Sequence, residues 1–487
     1  MRPERRYQLV TSGVATCSVV LAILVANHPV SQRLLTSLPL GARLTPVVLA
    51  GERLARAVAV TTAVMVVALV PSFTRPRRVL DVITITGRQV VIGCFALAAI
   101  GYLDYTFRLP RTTFVLTALL LCSLPAVFVA INDRLFAGAD RAVIVGDDRE
   151  RIERSIDETD RPIAGYVSPP RRRTTDADVN ADADANAESR STAVPVTDGG
   201  ALTDGGNAVN ARIGDLRRLG ELSQLSGVLR NYDVERAVLA FGAPDRTAFF
   251  RALAACHSHG VSVTAHRECA ESVLTKDEHS DFVDIDLEPW HWTNHVLKTL
   301  FDKAFALAGL LVLAPLMLAI AVAIKLDSPG PVLYSQDRTT TFGETFRLYK
   351  FRSMVTDAET EGGARLSDED DGDIDPRVTR IGRVLRRTHL DELPQLLSIL
   401  YGKMSVVGPR PERPELDTDI NSNIAEWRKR WFVKPGLTGL AQVNEVSSTN
   451  PELKLHYDIE YIRHQSFGLD VRIVGRQIQT VLLDLLS

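Results

Sequence analysis

DPRVTRIGRVLRRTHLDELPQLLSILYGKMSVVGPRP, residues 375–411, is the stretch whose reading decides the rest of the chain. Five arginines, Arg377, Arg380, Arg383, Arg386 and Arg387, lead into the acidic pair Asp391-Glu392. An apolar, helix-like segment follows, and then Gly408-Pro409-Arg410-Pro411. Guanidinium forks hold phosphate oxygens two at a time. Carboxylates hold a hard divalent cation or attack an electrophile. Arginines converging on a carboxylate pair suit chemistry on phosphate esters. The pair also has a plainer reading. Thr388-His389-Leu390-Asp391 fits the S/T-x-x-D pattern of a helix start, Pro394 is tolerated in a first turn, and acids there complement the helix dipole. The arginine density favours the first reading, because a helix N-terminus among arginines is a ready phosphate site. Adjacent residues on a helix point about 100° apart, which gives Asp391 and Glu392 different tasks.

Working outward, residues 8–27, 57–73, 83–104 and 112–131 are apolar runs near the roughly 20 residues that span a bilayer. The first follows Arg2, Arg5 and Arg6 but lacks a small-residue cleavage site, so it reads as a retained helix rather than a signal peptide. Arginines on the connecting segments give a mild bias towards a cytoplasmic N-terminus. Residues 304–324 are a further apolar run, with Pro315 at the middle. A mid-helix proline removes a hydrogen bond and kinks the helix. A crossing here would put residues 328–487 on the opposite face from residues 140–290. A re-entrant helix that turns back at Pro315 keeps both on one side. The stretches 424–433 and 472–486 are amphipathic, fitting either the membrane interface or half-buried domain helices.

Residues 141–167 read strand, helix, strand, and residues 211–265 continue with a helix, the strand RAVLAFG, a helix from Asp245 and the strand VSVTA. That alternation predicts a parallel α/β layer. Gly146 stands alone where a dinucleotide site wants G-x-G-x-x-G, which favours a nucleotide-fold-like scaffold over a nucleotide-binding domain. Residues 168–210 are rich in Asp, Ala, Asn and Gly and read as a disordered insertion. The net charge of −3 makes no case for nucleic acid. The five cysteines are scattered without ligand spacing, and the ten histidines form no HExxH cluster.

LDELPQL followed by MSVVGPRP resembles the bacterial sugar transferase family, the polyprenyl-phosphate glycosyl-1-phosphate transferases. GPVLYSQDR at 330–338, FRLYKFRSM at 346–354, DPRVTRIGRVLRR at 375–387 and VKPGLTGLAQVN at 433–444 recur in the family's order. The resemblance covers residues 297–487, and the upstream part resembles the long form of the family by layout. It implies three parts: a four-helix membrane bundle over 1–135, an α/β nucleotide-fold-like domain over 140–290, and a mainly α, monotopic catalytic domain over 297–487 with its re-entrant helix at 304–324.

The resemblance further implies transfer of a sugar-1-phosphate from a nucleoside-diphosphate sugar, a UDP-sugar by expectation, to an undecaprenyl or dolichyl phosphate. The nucleoside monophosphate is released, and the step would open glycan or exopolysaccharide assembly at the cytoplasmic face of the cell membrane. Asp391 is implied as the nucleophile and Glu392 as its partner at Mg²⁺. Arg386 and Arg410 are implied as phosphate contacts. Lys350 and Arg352 are added as candidates for the same role, and a homo-oligomer is compatible with the layout. Three positions depart from the family: His389 for Ser or Thr, Thr340 for Gly, and Glu445-Val446 for Gly-Arg. Two other readings compete, a non-catalytic membrane scaffold for polysaccharide assembly and a nucleotide-sugar-modifying enzyme built on residues 141–265. Against the second stand the missing glycines.

Overall fold

The computed structural model describes residues 3–39, 41, 43–74, 78–135, 141–159, 161–169, 212–242, 247–279, 281–355, 377–446 and 450–486. Nearly all of the segment expected to be disordered, 168–210, lies outside the described residues.

Five helices are long and apolar enough to cross a membrane: Arg5–Asn27, Gly51–Phe73, Val79–Leu103, Arg111–Asn132 and Trp292–Asp327. The first four match the predicted runs. They pack around Val19, Met65, Leu69, Leu97 and Phe128, while Leu21, Val67, Phe95 and Leu119 point outward, fully apolar and exposed. An outward apolar face suits contact with lipid. The fourth run is two helices, Arg111–Leu121 and Leu124–Leu135.

The middle domain is an eight-stranded sheet ordered β3-β4-β2-β1-β5-β6-β8-β7. Its strands are β1 (Arg141–Gly146), β2 (Ile163–Ser168), β3 (Arg212–Ile213), β4 (Leu216–Glu221), β5 (Val234–Ala240), β6 (Ser262–His266), β7 (Thr275–His279) and β8 (Phe282–Ile285). The five strands β4-β2-β1-β5-β6 are parallel, four of them, β1, β2, β5 and β6, where the alternation predicted strands. The apolar runs of β1 and β5 are buried almost throughout, as a sheet covered on both faces requires. Two corrections follow. Residues 212–221, expected to be helical, form β3 and β4, and only Leu225–Asn231 is an α-helix. The β7–β8 hairpin was not anticipated, because Thr275–His279 reads TKDEH and carries no apolar alternation. Gly146 is explained by packing: a Cβ there would lie 1.9 Å from the Ala240 carbonyl oxygen.

The C-terminal domain begins with the helix Trp292–Asp327, which runs uninterrupted through Pro315. The helix break expected at Pro315 is therefore absent; the proline costs one amide donor without ending the helix. The rest comprises an antiparallel pair, β9 (Leu333–Thr339) and β10 (Thr345–Phe351), a short parallel pair, β11 (Ser405–Val407) and β12 (Gly436–Thr438), and helices that include Arg380–Arg387, Gln395–Leu400, Pro451–His464 and Phe467–Leu486. The long helix is held at both ends. Lys298 Nζ donates to Asp470 Oδ2 and the Val407 carbonyl, each at 2.9 Å, and Asp302 accepts from Ser405 Oγ and the Val406 amide. At the far end Asp327 accepts the Ile381 amide at 3.1 Å. Between them Ala306, Leu310, Leu313, Ile320 and Ile324 pack on the same domain.

The middle and C-terminal domains share one apolar core. Phe342 and Phe432 of the latter join Phe249, Phe250 and Leu253 of the former. Arg78, at the start of the apolar helix Val79–Leu103, pairs with Glu288.

Candidate active site

The site forms where β10, the turn around Asp391 and the loop after β11 meet. Thr379 caps the helix Arg380–Arg387, accepting the Gly382 amide at 2.9 Å. Thr388, expected to open a helix, closes this one instead. Its hydroxyl donates back to the Val384 carbonyl at 2.7 Å. His389 then takes the left-handed conformation, with φ of 54°, which reverses the chain at a helix C-terminus. Histidine is among the residues that tolerate it. The reversal delivers Leu390–Glu392 as a single 3₁₀ turn with Asp391 and Glu392 both buried. The acidic pair is thus held by a turn and not by a helix N-terminus.

Glu392 is the paired member. Its Oε1 accepts from Lys350 Nζ at 2.9 Å and from Arg410 Nη2 at 2.8 Å. Burial raises its pKa, but the charges and hydrogen bonds of Arg410 and Lys350 outweigh this and hold the carboxyl well below the usual range. Asp391 is the opposite case. Among the described residues no hydrogen bond reaches its carboxylate, and its near cation, Lys350 Nζ, stands 3.9 Å away. Burial raises its pKa, Lys350 offsets part of that, and the Glu392 charge raises it again. Two adjacent carboxyls are therefore pushed apart, one fixed as an anion and one left with unengaged lone pairs.

Arg410 owes its place to its loop. Gly408 donates its amide to Thr438 at 2.9 Å, and a Cβ on Gly408 would lie 2.5 Å from the Lys434 carbonyl oxygen. The Pro411 carbonyl accepts from Arg338 Nη1 at 3.0 Å. Below the loop lies a buried ionic layer that sequence reasoning missed: Glu412 with Lys454, and Arg430 with Asp458. Part of it sits within residues 424–433, read as an amphipathic stretch for the interface or the domain. Those residues form a 3₁₀ segment, Ala425–Phe432, with Trp427, Arg430 and Phe432 buried. Only the adjacency of Glu412 to the Gly-Pro-Arg-Pro turn could have pointed there.

The other candidates separate. Lys350 lies at the carboxylates. Arg352 does not: its Nη1 donates to the Pro329 carbonyl and its Nη2 to the carbonyl and hydroxyl of Ser328, each at 2.7 Å. Strand alternation would place Lys350 and Arg352 on one face, but β10 stops at Phe351 and Arg352 clamps the end of the long helix. Arg386 is half-buried on the last turn of Arg380–Arg387, and no ion pair to it is found among the described residues. Arg380, Arg383 and Arg387 are exposed. Thr340 has an extended backbone, φ −125°, so no glycine is needed there. Glu445 has φ of 57°, a conformation that favours the glycine it replaces.

A family model described as bacterial sugar transferase matches residues 293–484. Among similar proteins, UDP-glucose:undecaprenyl-phosphate glucose-1-phosphate transferase of Xanthomonas campestris pv. campestris is 44% identical over 184 residues, 37% of each chain. UDP-N-acetylgalactosamine-undecaprenyl-phosphate N-acetylgalactosaminephosphotransferase of Aeromonas hydrophila is 41% identical over 189 residues, 38% of this chain and 44% of its own. The exopolysaccharide production protein PSS of Rhizobium leguminosarum bv. phaseoli is 41% identical over 187 residues, 37% of this chain and 92% of its own. The chain belongs to the bacterial sugar transferase family. Its match spans less than half the length of the first two of these relatives.

Proposed function

We propose that the protein is a phosphoglycosyl transferase that moves a sugar-1-phosphate from a UDP-sugar to a polyprenyl phosphate and releases the nucleoside monophosphate. The observation that carries this is the split between the two buried carboxylates, one accepting two charged hydrogen bonds and one accepting none among the described residues, within a segment 44% identical over 184 residues to a UDP-glucose:undecaprenyl-phosphate glucose-1-phosphate transferase. In the first step an Asp391 oxygen attacks the sugar-proximal phosphorus. The bond from that phosphorus to the nucleoside monophosphate breaks, and the monophosphate leaves. In the second, an oxygen of the polyprenyl phosphate attacks the same phosphorus, and the phosphorus–Asp391 bond breaks to restore the carboxylate. Splitting the displacement lets two anionic substrates use the site in turn.

The donor set fits Mg²⁺. Glu392 Oε2 and both Asp391 oxygens accept no hydrogen bond among the described residues, and no group of three or more His, Cys, Asp or Glu forms a complete cage there. Mg²⁺ keeps waters and takes one or two carboxylates plus substrate phosphates. Asp391 and Glu392 would hold it, and it would supply neutralisation of phosphate charge. Lys350 and Arg410 keep Glu392 ionised and oriented. Arg386 is assigned to substrate phosphate from the half-buried last turn of its helix. Arg352 is not retained in that role.

The catalytic domain sits on the cytoplasmic face of the cell membrane in this reading, with residues 304–324 in contact with one leaflet and no turn at Pro315 needed. Supporting this, Asp302 and Asp327 lie about 38 Å apart along the helix, yet both bind the same globular domain. A perpendicular crossing would carry them to opposite faces. The middle domain is read as a nucleotide-fold-like scaffold. Its Gly146 turn is followed by Asp147 and Asp148, and Asp147 accepts the Gly242 amide across the strand ends, leaving acids where a dinucleotide's phosphates would lie. The test is release of nucleoside monophosphate from a panel of UDP-sugars by purified protein with polyprenyl phosphate and Mg²⁺. Absence of release from every sugar would reject the reading in favour of a scaffold.

A further inference from the structure

We propose that Arg430 is a positioning residue for Arg410, and that the middle domain sets Arg430 in place through Phe250 against Trp431. This rests on the transferase reading and adds to it a device that joins the second domain to the site.

The links are short and mostly buried. Arg430 Nη2 donates to the carbonyl oxygen of Arg410 at 2.7 Å, and its Nε donates to Asp458 Oδ2 at 2.7 Å. Its guanidinium carbon lies 4.0 Å from the centre of the Trp427 ring. One guanidinium therefore bridges the backbone of the Arg410 loop to the helix Pro451–His464. Arg410 in turn reaches Glu392 at 2.8 Å. A shift of the Arg410 backbone moves the root of its side chain, and the planar fork must be re-aimed to keep both the distance and the angle of that bond.

Arg430 is itself fixed from the other side. It lies in the segment Ala425–Phe432, whose Trp427 and Trp431 indoles both donate to Asp417, at 2.6 and 3.1 Å. Trp431 meets Phe250 edge-to-face, with ring centres 4.9 Å apart at 78°. Phe250 meets Phe249 edge-to-face in the middle domain's core, with ring centres 5.3 Å apart at 76°. Phe432 meets Phe342 at 5.5 Å, and both belong to that same core. The segment bearing Arg430 is thus a shared wall of two domains. Closely packed aromatic side chains repack discretely and do not deform smoothly, so a change in the middle domain's docking at Phe250 and the half-buried Trp431 is passed on to Arg430.

The test uses full-length protein and a double-mutant cycle on nucleoside monophosphate release. Arg430→Lys keeps the charge and loses the fork; kcat is expected to fall about tenfold, as for loss of a charged hydrogen bond. In an Arg410→Ala background the same change is expected to lower kcat less than about twofold, because residues acting as one unit are not additive. Asp458→Asn, which keeps shape and removes charge, serves if Arg430→Lys fails to fold and is expected to show the same dependence on Arg410. Phe250→Leu keeps apolar volume and removes the ring edge; kcat is expected to fall about threefold, again only when Arg410 is present. Full additivity of the Arg430 or Asp458 change with Arg410→Ala would overturn the positioning role. An unchanged kcat in Phe250→Leu would overturn the middle domain's part. Failure of the wild-type chain to release any monophosphate would instead reject the transferase reading.

Discussion

Arg410→Ala removes the 2.8 Å bond from a guanidinium to a carboxylate that is itself buried. A hydrogen bond to a charged group contributes about 1.5–3 kcal/mol, and stranding a buried charge costs about 3–5 kcal/mol. Lys350, at 2.9 Å from the same oxygen, continues to compensate Glu392, so the lower range applies. About 2–3 kcal/mol, if expressed in the transition state, is a loss of about 30- to 150-fold in turnover. The assay is initial-rate release of nucleoside monophosphate at saturating nucleotide sugar and polyprenyl phosphate, with thermal unfolding run alongside. The same loss also weakens the fold, so the melting temperature is expected to drop by several degrees, and rates are compared well below the unfolding transition. A fall of under threefold with the fold intact would show that Arg410 holds Glu392 without serving the reaction. Lys350→Ala provides the matched control and is expected to fall by a similar factor.

Glu445 holds φ of 57°, a conformation that costs a non-glycine residue about 1–2 kcal/mol; Glu445→Gly is expected to raise the unfolding free energy by up to about that amount, read as a higher denaturant midpoint at unchanged m. His257 lies against Phe342 and near Glu288. Burial, with help from Arg78, His295 and Lys434, pushes its pKa down to about 3. The unfolded chain then binds a proton near pH 6.5 that the folded chain refuses, so stability is lost as pH falls from 6.5 towards 3; His257→Gln should flatten that slope in unfolding measured from pH 7 to 5. Cysteines placed at the exposed Leu297 and Leu326, in a chain stripped of its native cysteines, should react with a membrane-impermeant reagent from the same face of sealed vesicles. Labelling from opposite faces would mean a true crossing by Trp292–Asp327.

The parts of this protein most legible in its sequence are those set by long apolar runs and by regular alternation. Four long apolar helices and four of the five parallel strands, β1, β2, β5 and β6, follow from length and period alone; β4 lies where a helix was expected. The hairpin β7–β8 escaped because β7 reads TKDEH without apolar alternation, and β8 is only four residues long and finds its partner β6 by tertiary contact. Lys350, Asp391, Glu392 and Arg410 were all singled out by residue type, and the structure brings the four together. Their geometry was not legible. Thr388 looks like a cap in sequence because a helix does begin nearby, at Gln395, but the left-handed His389 intervenes, and single positive φ values leave no periodic trace. The direction of Arg352, towards Ser328 and Pro329, was illegible for a related reason: where a strand ends decides which way a side chain turns, and strand ends depend on what they meet. The layer Glu412–Lys454 and Arg430–Asp458 joins residues 28 and 42 positions apart, a separation at which no local pattern signals contact.

The central claim is that Asp391 becomes the covalent carrier of the sugar phosphate. Purified full-length protein should be mixed with Mg²⁺ and a radiolabelled UDP-sugar it turns over, with no lipid phosphate present. The account predicts a rapid release of about one equivalent of nucleoside monophosphate per site, with the sugar phosphate retained on Asp391, and loss of both in Asp391→Asn. No burst with a verified substrate, or a label trapped on any other residue, would contradict it.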